Sequence, residues 1–275
     1  MPASLANCSL IISTYNWPEA LELTLKSVLR QSILPKEVII ADDGSTEETK
    51  LLIERYHTNF PTKLIHIWHE DRGFRLASIR NKAFAASNAA YLIQVDGDII
   101  LHPKFIEDHL NFAQPDCLLQ GSRVLLGENR SKRLLRKKDT HISILQSDMK
   151  RRENGIRFLA LSKYLAPKYR NRYPIYFARG ANMSFWREDI VAVNGYNESF
   201  EGWGHEDSDL TLRLLNNGKR KMVLKFSAIA YHLYHPEHTS KDREAANKSL
   251  LEETQQRKIN WTENGMRKYL NQHEQ

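Results

Sequence analysis

The chain has 275 residues, 41% hydrophobic and 27% charged, with 40 Lys and Arg against 33 Asp and Glu. This is globular composition, which excludes a disordered or fibrous chain, and the two cysteines, Cys8 and Cys117, sit in short apolar runs that suit reduced core thiols rather than a disulfide framework. With no basic-then-apolar leader and no apolar run near the ~18 residues a membrane span needs, the expected setting is cytoplasmic, at most peripheral to the inner face of a membrane.

In the first half, short β-branched runs alternate with amphipathic stretches, the pattern of an α/β fold with a mostly parallel central sheet flanked by helices. Strands are predicted over residues 9–13, 38–41, 64–68 and 91–95. Asn16 is the expected N-cap of the first helix, with Pro18 in its first turn and Leu21, Leu25, Val28 and Leu29 on one face. Ser45 and Glu48 make a capping-box signature ahead of Leu51, Leu52 and Tyr56, and a third helix is predicted over 77–87. Turns at the carboxyl ends of parallel strands form the crevice where such sheets bind ligands, so residues 14–16, 42–45 and 96–98 are expected to converge.

Residues 127–172 break this pattern and read as a basic helical insertion. Residues 130–172 hold 14 Lys and Arg against 3 Asp and Glu, densest at Lys132-Arg133 and Arg136-Lys137-Lys138. With Phe158, Leu159, Leu161 and Leu165 among the charges, the segment reads as a solvated basic helix pair or as a surface for an anionic membrane or lipid diphosphate, each basic residue adding ~1 kcal/mol. No nucleic-acid reader motif accompanies the charge, so nucleic acid is not an expected partner. The pattern resumes at Tyr176, with helices over 187–193 and 206–216, the second ended by Gly218, then a strand over 222–231. A helix-prone tail follows from Lys241, with Leu250, Leu251, Trp261 and Leu270 as docking residues. The expected organisation is a nucleotide-binding half at 1–126, the insertion at 127–172, an acceptor-binding and catalytic half at 173–240 and a helical tail at 241–275.

Four clusters carry candidate chemistry. In Asp96-Gly97-Asp98, carboxylates two apart in extended backbone point the same way, and hard divalent cations prefer such oxygen ligands; an acidic turn is the bland alternative. Gly97 would let a ligand approach the main chain. Asp42-Asp43-Gly44-Ser45 ends the second strand, where a carboxylate can accept hydrogen bonds from a base or a ribose, or simply form an Asx turn capped by Ser45. The run from Glu201 to Asp209 sets four acids around Trp203 and two glycines, offering a general base and an apolar plate for a sugar, or merely an acidic helix start. His232 and His235 close the last strand and could complete a metal site with Asp98, with His238 less favoured beyond Pro236.

The ordered set Ser13-Thr14-Tyr15-Asn16, Asp42-Asp43-Gly44-Ser45, Gly73-Phe74-Arg75-Leu76-Ala77 through Arg80-Asn81, Asp96-Gly97-Asp98 and Trp203-Gly204-His205-Glu206-Asp207 resembles glycosyltransferase family 2. Residues 179–185 and 202–209 look like its C-terminal galactosyltransferase-type module. The resemblance implies a GT-A fold, a nucleotide-diphosphate sugar donor, most often UDP-linked, a divalent metal (Mn²⁺ or Mg²⁺) and inversion at the anomeric carbon. The acceptor would be a glycan or lipid-linked saccharide in surface polysaccharide synthesis. By motif, the resemblance places Thr14 and Asp43 on the nucleoside, Arg75 and Arg80 near the base or phosphates, Asp96 near the ribose and diphosphate, and Asp98 on the metal with His232 or His235. Asp207 would be the base, Glu206 would orient the acceptor and Trp203 would close over both substrates. His205 stands where the family often has Gly. A nucleotidyltransferase is the rival enzyme class, disfavoured because the first strand leads to Thr14-Tyr15-Asn16-Trp17 rather than a Gly-rich basic loop; a non-catalytic glycan-binding protein is the other alternative.

Overall fold

The computed structural model describes residues 7–169, 173–236 and 241–270. In chain order, β1 (Cys8–Thr14), α1 (Pro18–Val28), β2 (Glu37–Asp42), α2 (Glu47–His57), β3 (Lys63–Trp68), α3 (Leu76–Ala86) and β4 (Tyr91–Asp96) alternate. Next come β5 (Ile99–Leu101), α4 (Phe105–Phe112), β6 (Cys117–Gln120), β7 (Arg123–Leu126), α5 (Glu128–Lys137), β8 (Met149–Lys150), a 3-10 turn at Arg152–Gly155 and α6 (Leu159–Leu165). The described chain continues through β9 (Asn182–Trp186), α7 (Arg187–Ala192), α8 (Glu206–Asn216), β10 (Arg220–Val223), β11 (Ala230–His232), α9 (Lys241–Gln256) and α10 (Arg267–Leu270).

Every residue of β1 and β2 is buried, as expected of strands covered on both faces. The main sheet runs β10-β6-β9-β4-β1-β2-β3. Strands β1 to β4 pair in parallel, while β9 runs antiparallel between β4 and β6. Leu21, Leu25 and Val28 of α1 cover one face over Ile12, Ile40 and Ile93; Phe84 of α3 and Leu210 and Leu214 of α8 cover the other over Ile11, Ile39 and Leu92. Each such side chain contributes roughly 1.5–3 kcal/mol by leaving water. A smaller sheet, β5-β11-β7-β8, stands beside the carboxyl end of β4 and carries His232. The stretch expected as a helical insertion therefore contains strand as well as helix, because β8 pairs with β7.

Several local expectations are corrected by tertiary contacts. Asn16 and Ser45 do not cap helices: Trp17 and Thr46 hold those positions. Instead the Asn16 amide donates to Ser45 Oγ at 2.9 Å and Asn16 Oδ1 accepts from the Thr46 amide at 2.8 Å, which ties the first two turns together. The Asx turn does form, with Asp42 Oδ1 accepting from the Ser45 amide at 2.8 Å. Leu29 and Leu51 are exposed, since each lies beyond the buried stripe of its helix. The run over 222–231 is two strands in two sheets, broken where Phe226 and Ala228 take positive φ. In the tail, Leu251 docks with Phe200 and Leu212, but Trp261 remains 38% exposed.

Candidate active site

The turns after β1, β2 and β4 meet through their own hydrogen bonds. Asp43 donates its amide to the Thr14 carbonyl at 3.0 Å, and Gly97 donates its amide to the Ser13 carbonyl at 2.7 Å. A Cβ on Gly97 would stand 3.0 Å from that carbonyl, so the glycine admits the neighbouring strand. Thr14 and Asp43 are both nearly buried at this edge. Asp43 accepts from His69 Nε2 at 2.6 Å and from the Arg75 amide at 2.9 Å, while the Arg75 guanidinium donates to the Glu70 carbonyl.

Beyond β4, Asp98, His232 and His235 form a cluster whose ligand atoms all lie within 4.8 Å of one another. His232 Nε2 and His235 Nε2 stand 3.4 and 3.2 Å from Asp98 Oδ2. The other oxygen, Oδ1, is buried without a hydrogen-bond partner, an orphan that a cation would satisfy. Burial raises the Asp98 pKa, but the two imidazoles outweigh it and hold the carboxyl below its usual range. Burial pushes His232 down and so favours the neutral ring that ligates, whereas the hydrogen bond to Asp98 lifts His235 to about 9. Once His235 releases its proton on metal binding, one oxygen and two nitrogen donors fit a divalent ion. Both histidines reach the cluster; His238 lies outside the described residues.

Asp207 lies on the first turn of α8, more than a hundred residues from Asp98 in the chain, and Arg80 of α3 joins its side of the centre to Asp96. The Arg80 side chain is 1% exposed, and its Nη2 donates to Asp96 Oδ1 at 2.9 Å while its Nη1 donates to Asp207 Oδ1 at 3.0 Å. Its Nε donates to Ser13 Oγ at 3.1 Å. All three nitrogens are engaged beneath the site, so Arg80 acts as a buried bridge and is poorly placed for the expected contact with a base or phosphate. Asp207 also accepts from the Tyr196 hydroxyl at 2.8 Å and, through Oδ2, from the Gly180 amide at 2.6 Å, a donor set that suits an anion. Gly180 is required here, because a Cβ would stand 2.5 Å from Arg80 Nη2 and 2.6 Å from Asp207 Oδ1. Burial and the nearby Asp98 and Asp207 raise the Asp96 pKa to about 6 against the pull of Arg80.

Glu206 sits beside this network, 3.7 Å from Arg80, and its Oε2 is buried without a partner. Burial, reinforced by Asp207, pushes its carboxyl up to about 8, which favours the protonated form. His205, at the N-cap of α8, has φ 73, the left-handed conformation that a glycine adopts without strain. Trp203 is 47% exposed on a loop held by Asn247, which donates to the carbonyls of Glu201 and Gly204, and by the Gly202 amide, which donates to the Phe74 carbonyl.

The sequence pattern of Glycosyl transferase family 2 matches residues 9–187, and that described as the N-terminal domain of galactosyltransferase matches residues 161–238. The chain belongs to glycosyltransferase family 2. Among curated relatives, the chondroitin synthase of Escherichia coli is 25% identical over 91% of this chain and 38% of its own length. The validoxylamine A glucosyltransferase of Streptomyces hygroscopicus subsp. limoneus is 28% identical over 76% of this chain and 48% of its own length. The chain thus spans less than half of either relative. The fold is GT-A: a Pyrobaculum calidifontis mannosyltransferase in complex with GDP-mannose and Mn²⁺ aligns with a TM-score of 0.61, 18% identity and coverage of 93% of this chain and 66% of its own. GalNAc-T7 with UDP, GalNAc and Mn²⁺ aligns with a TM-score of 0.65, 14% identity and coverage of 92% and 48%.

In this family 2 domain the second half enters the same sheet as the first, because β9 inserts between β4 and β6. The residues that sequence reasoning did not single out are Tyr196, Gln94 and Arg123. Gln94 left a signal, a lone amide inside the apolar run of β4; its Nε2 donates to the Gly180 carbonyl at 3.0 Å and so fixes the turn that grips Asp207. Tyr196 has no local signature. Among the described residues no helix is long and apolar enough to cross a membrane. In the basic segment, Leu159 packs on the core while Phe158 and Tyr164 remain exposed.

Proposed function

We propose that this chain is an inverting, divalent-metal-dependent glycosyltransferase that moves a sugar from a nucleotide-diphosphate donor, a uridine one, to a hydroxyl of a glycan or lipid-linked saccharide in surface polysaccharide synthesis. The observation that carries this reading is the Arg80 bridge, which ties Asp96, two residues from the metal-ligating candidate Asp98, to Asp207. The nucleotides and Mn²⁺ bound by the two solved neighbours, and the chondroitin-synthesising relative, support it.

In this reading Thr14, Asp43 and Arg75 line the nucleoside side, and Asp96 faces the ribose and diphosphate. Asp98, His232 and His235 would hold the cation, and two imidazoles in the donor set favour Mn²⁺ over the harder Mg²⁺. Bound there, the ion would supply Lewis-acid charge toward the departing diphosphate, worth several kcal/mol. The acceptor oxygen bonds to the anomeric carbon as the bond from that carbon to the diphosphate oxygen breaks, the electron pair leaving with the nucleotide. The acceptor proton passes to Asp207. Glu206, whose buried carboxyl favours the protonated form, donates a hydrogen bond to the acceptor and is not the base. Arg80 and Tyr196 hold Asp207 in place, and positioning is a large part of the rate. Trp203 covers the bound sugars and limits attack by water.

The test is a pair of variants assayed with UDP-sugars, Mn²⁺ and saccharide acceptors. Asp207→Asn keeps metal-dependent UDP binding and loses transfer by ~10²–10⁴, whereas Asp98→Ala loses both. Anomeric proton couplings of the product report inversion; an active Asp207→Asn enzyme or a retained configuration overturns the reading.

A further inference from the structure

A cleft of about 430 Å³ opens beside the proposed centre. Two of its residues, Arg179 and Ala181, flank Gly180, whose amide holds Asp207. Another, Arg123, starts β7, the strand paired in parallel with β11 and its His232. The cleft therefore lies beside the turn that holds Asp207 and one strand from the cluster proposed to hold the metal.

Its chemistry is lopsided. Among the described residues, Arg123, Arg151 and Lys225 line it with one acid, Glu153, and Arg179 stands at its rim. Clustered cations in a concave, partly desolvated site repel one another unless an anion joins them. Arg123 Nε is buried with no hydrogen-bond partner. Lys225 donates to the neutral Asn154 Oδ1 at 2.9 Å and lies 5.4 Å from the Tyr169 ring centroid, and burial outweighs the pull of Glu153 and pushes its ammonium pKa down. The cleft also carries aromatic surface: the Tyr173 and Phe177 rings stack with centroids 4.4 Å apart, and the Arg179 guanidinium lies 5.4 Å from the Phe177 centroid. Such plates match the apolar face of a sugar ring.

We propose that this cleft seats the acceptor and selects saccharides that carry an anionic group, a carboxylate or a phosphate, near the sugar whose hydroxyl reaches Asp207. The inference rests on the transferase reading above and adds the acceptor's chemical class. It also gives Arg151 and Tyr169 of the basic segment a task other than contact with a membrane.

The experiment is calorimetry on the whole chain with Mn²⁺ and UDP present, using three probes of equal length. One is a disaccharide ending in a hexuronic acid, one its carboxyl-reduced neutral counterpart, and one a disaccharide bearing a phosphate monoester. The anionic probes bind, more weakly as salt rises, and the neutral probe binds at least about tenfold less tightly. The two anionic arms distinguish carboxylate from phosphate as the natural group. Arg151→Gln and Lys225→Gln each weaken the anionic probes by about tenfold or more and leave neutral-probe and UDP affinity unchanged. Arg151 is exposed, so its variant tests the proposal even if the Lys225 variant misfolds. Equal binding of neutral and anionic probes overturns the inference, and so does a parallel loss of UDP affinity, which would assign the cations to the donor diphosphate. Failure of UDP to bind the unaltered chain counts instead against the transferase reading.

Discussion

Replacing Arg80 with Met retains most of the buried side-chain volume and removes the charge that joins the two halves of the site. Arg80 is 1% exposed and donates to Asp96, Asp207 and Ser13 at 2.9, 3.0 and 3.1 Å. Deleting one partner of a buried ion pair costs ~3–5 kcal/mol, because the other charge is left without compensation. Asp96 keeps a side-chain exposure of 32%, so water recovers part of the loss and the lower end, about 3 kcal/mol, applies here. For a chain of this size that corresponds to a Tm lower by about 6–12 °C. The deficit depends on pH with a definite sign. Without Arg80, Asp96 and its acidic neighbours bind protons more readily in the folded state than in the unfolded one. Stability is then lost as pH rises above the unfolded value of ~4, and the gap to the unaltered protein widens from pH 5 to pH 8. Urea unfolding followed by circular dichroism at both pH values, without metal, measures it. A loss below about 1 kcal/mol, or one equal at the two pH values, would refute the bridge as a buried electrostatic tie.

The raised pKa of Glu206, about 8 against an ordinary 4.5, is full stabilisation only below pH 4.5 and is lost as pH rises through 8. Glu206→Gln should therefore gain stability relative to the unaltered protein by up to ~1.4 kcal/mol per pH unit across that window, read from paired urea titrations; a constant difference would remove the shift. His205→Gly should raise stability by up to ~1 kcal/mol, since glycine takes φ 73 without strain, while His205→Val should lower it by more than that. Equal midpoints for the two variants would show that the N-cap conformation is not under strain.

The parallel strands were legible because strands buried on both faces read as unbroken apolar runs, which no local competitor imitates at β1, β2 and β4. Asn16 and Ser45 misled for a tertiary reason: both have cap chemistry, but each spends it on the other's turn. The split of 222–231 between two sheets was invisible because Phe226 and Ala228 take positive φ without a glycine to mark the break. At the site, Asp98, His232 and His235 carried ligand chemistry in their residue types, and the cluster brings them together. Arg80 carried a readable signal of another kind. It lies between Ala77, Ile79, Ala83 and Phe84 on the buried face of α3, where a cation must find acids, which argues for a buried bridge rather than a nucleotide contact. Tyr196 and the cleft cations gain meaning only once β9 has brought residues 179–182 beside β4.

The most direct measurement is the anomalous scattering of Mn²⁺ in crystals grown with a non-transferable UDP-sugar analogue. A single ion coordinated by Asp98, His232 and His235, with the anomeric carbon of the analogue facing Asp207, is the predicted result. An ion bound away from Asp98, or a donor sugar turned out of reach of Asp207, would contradict the account.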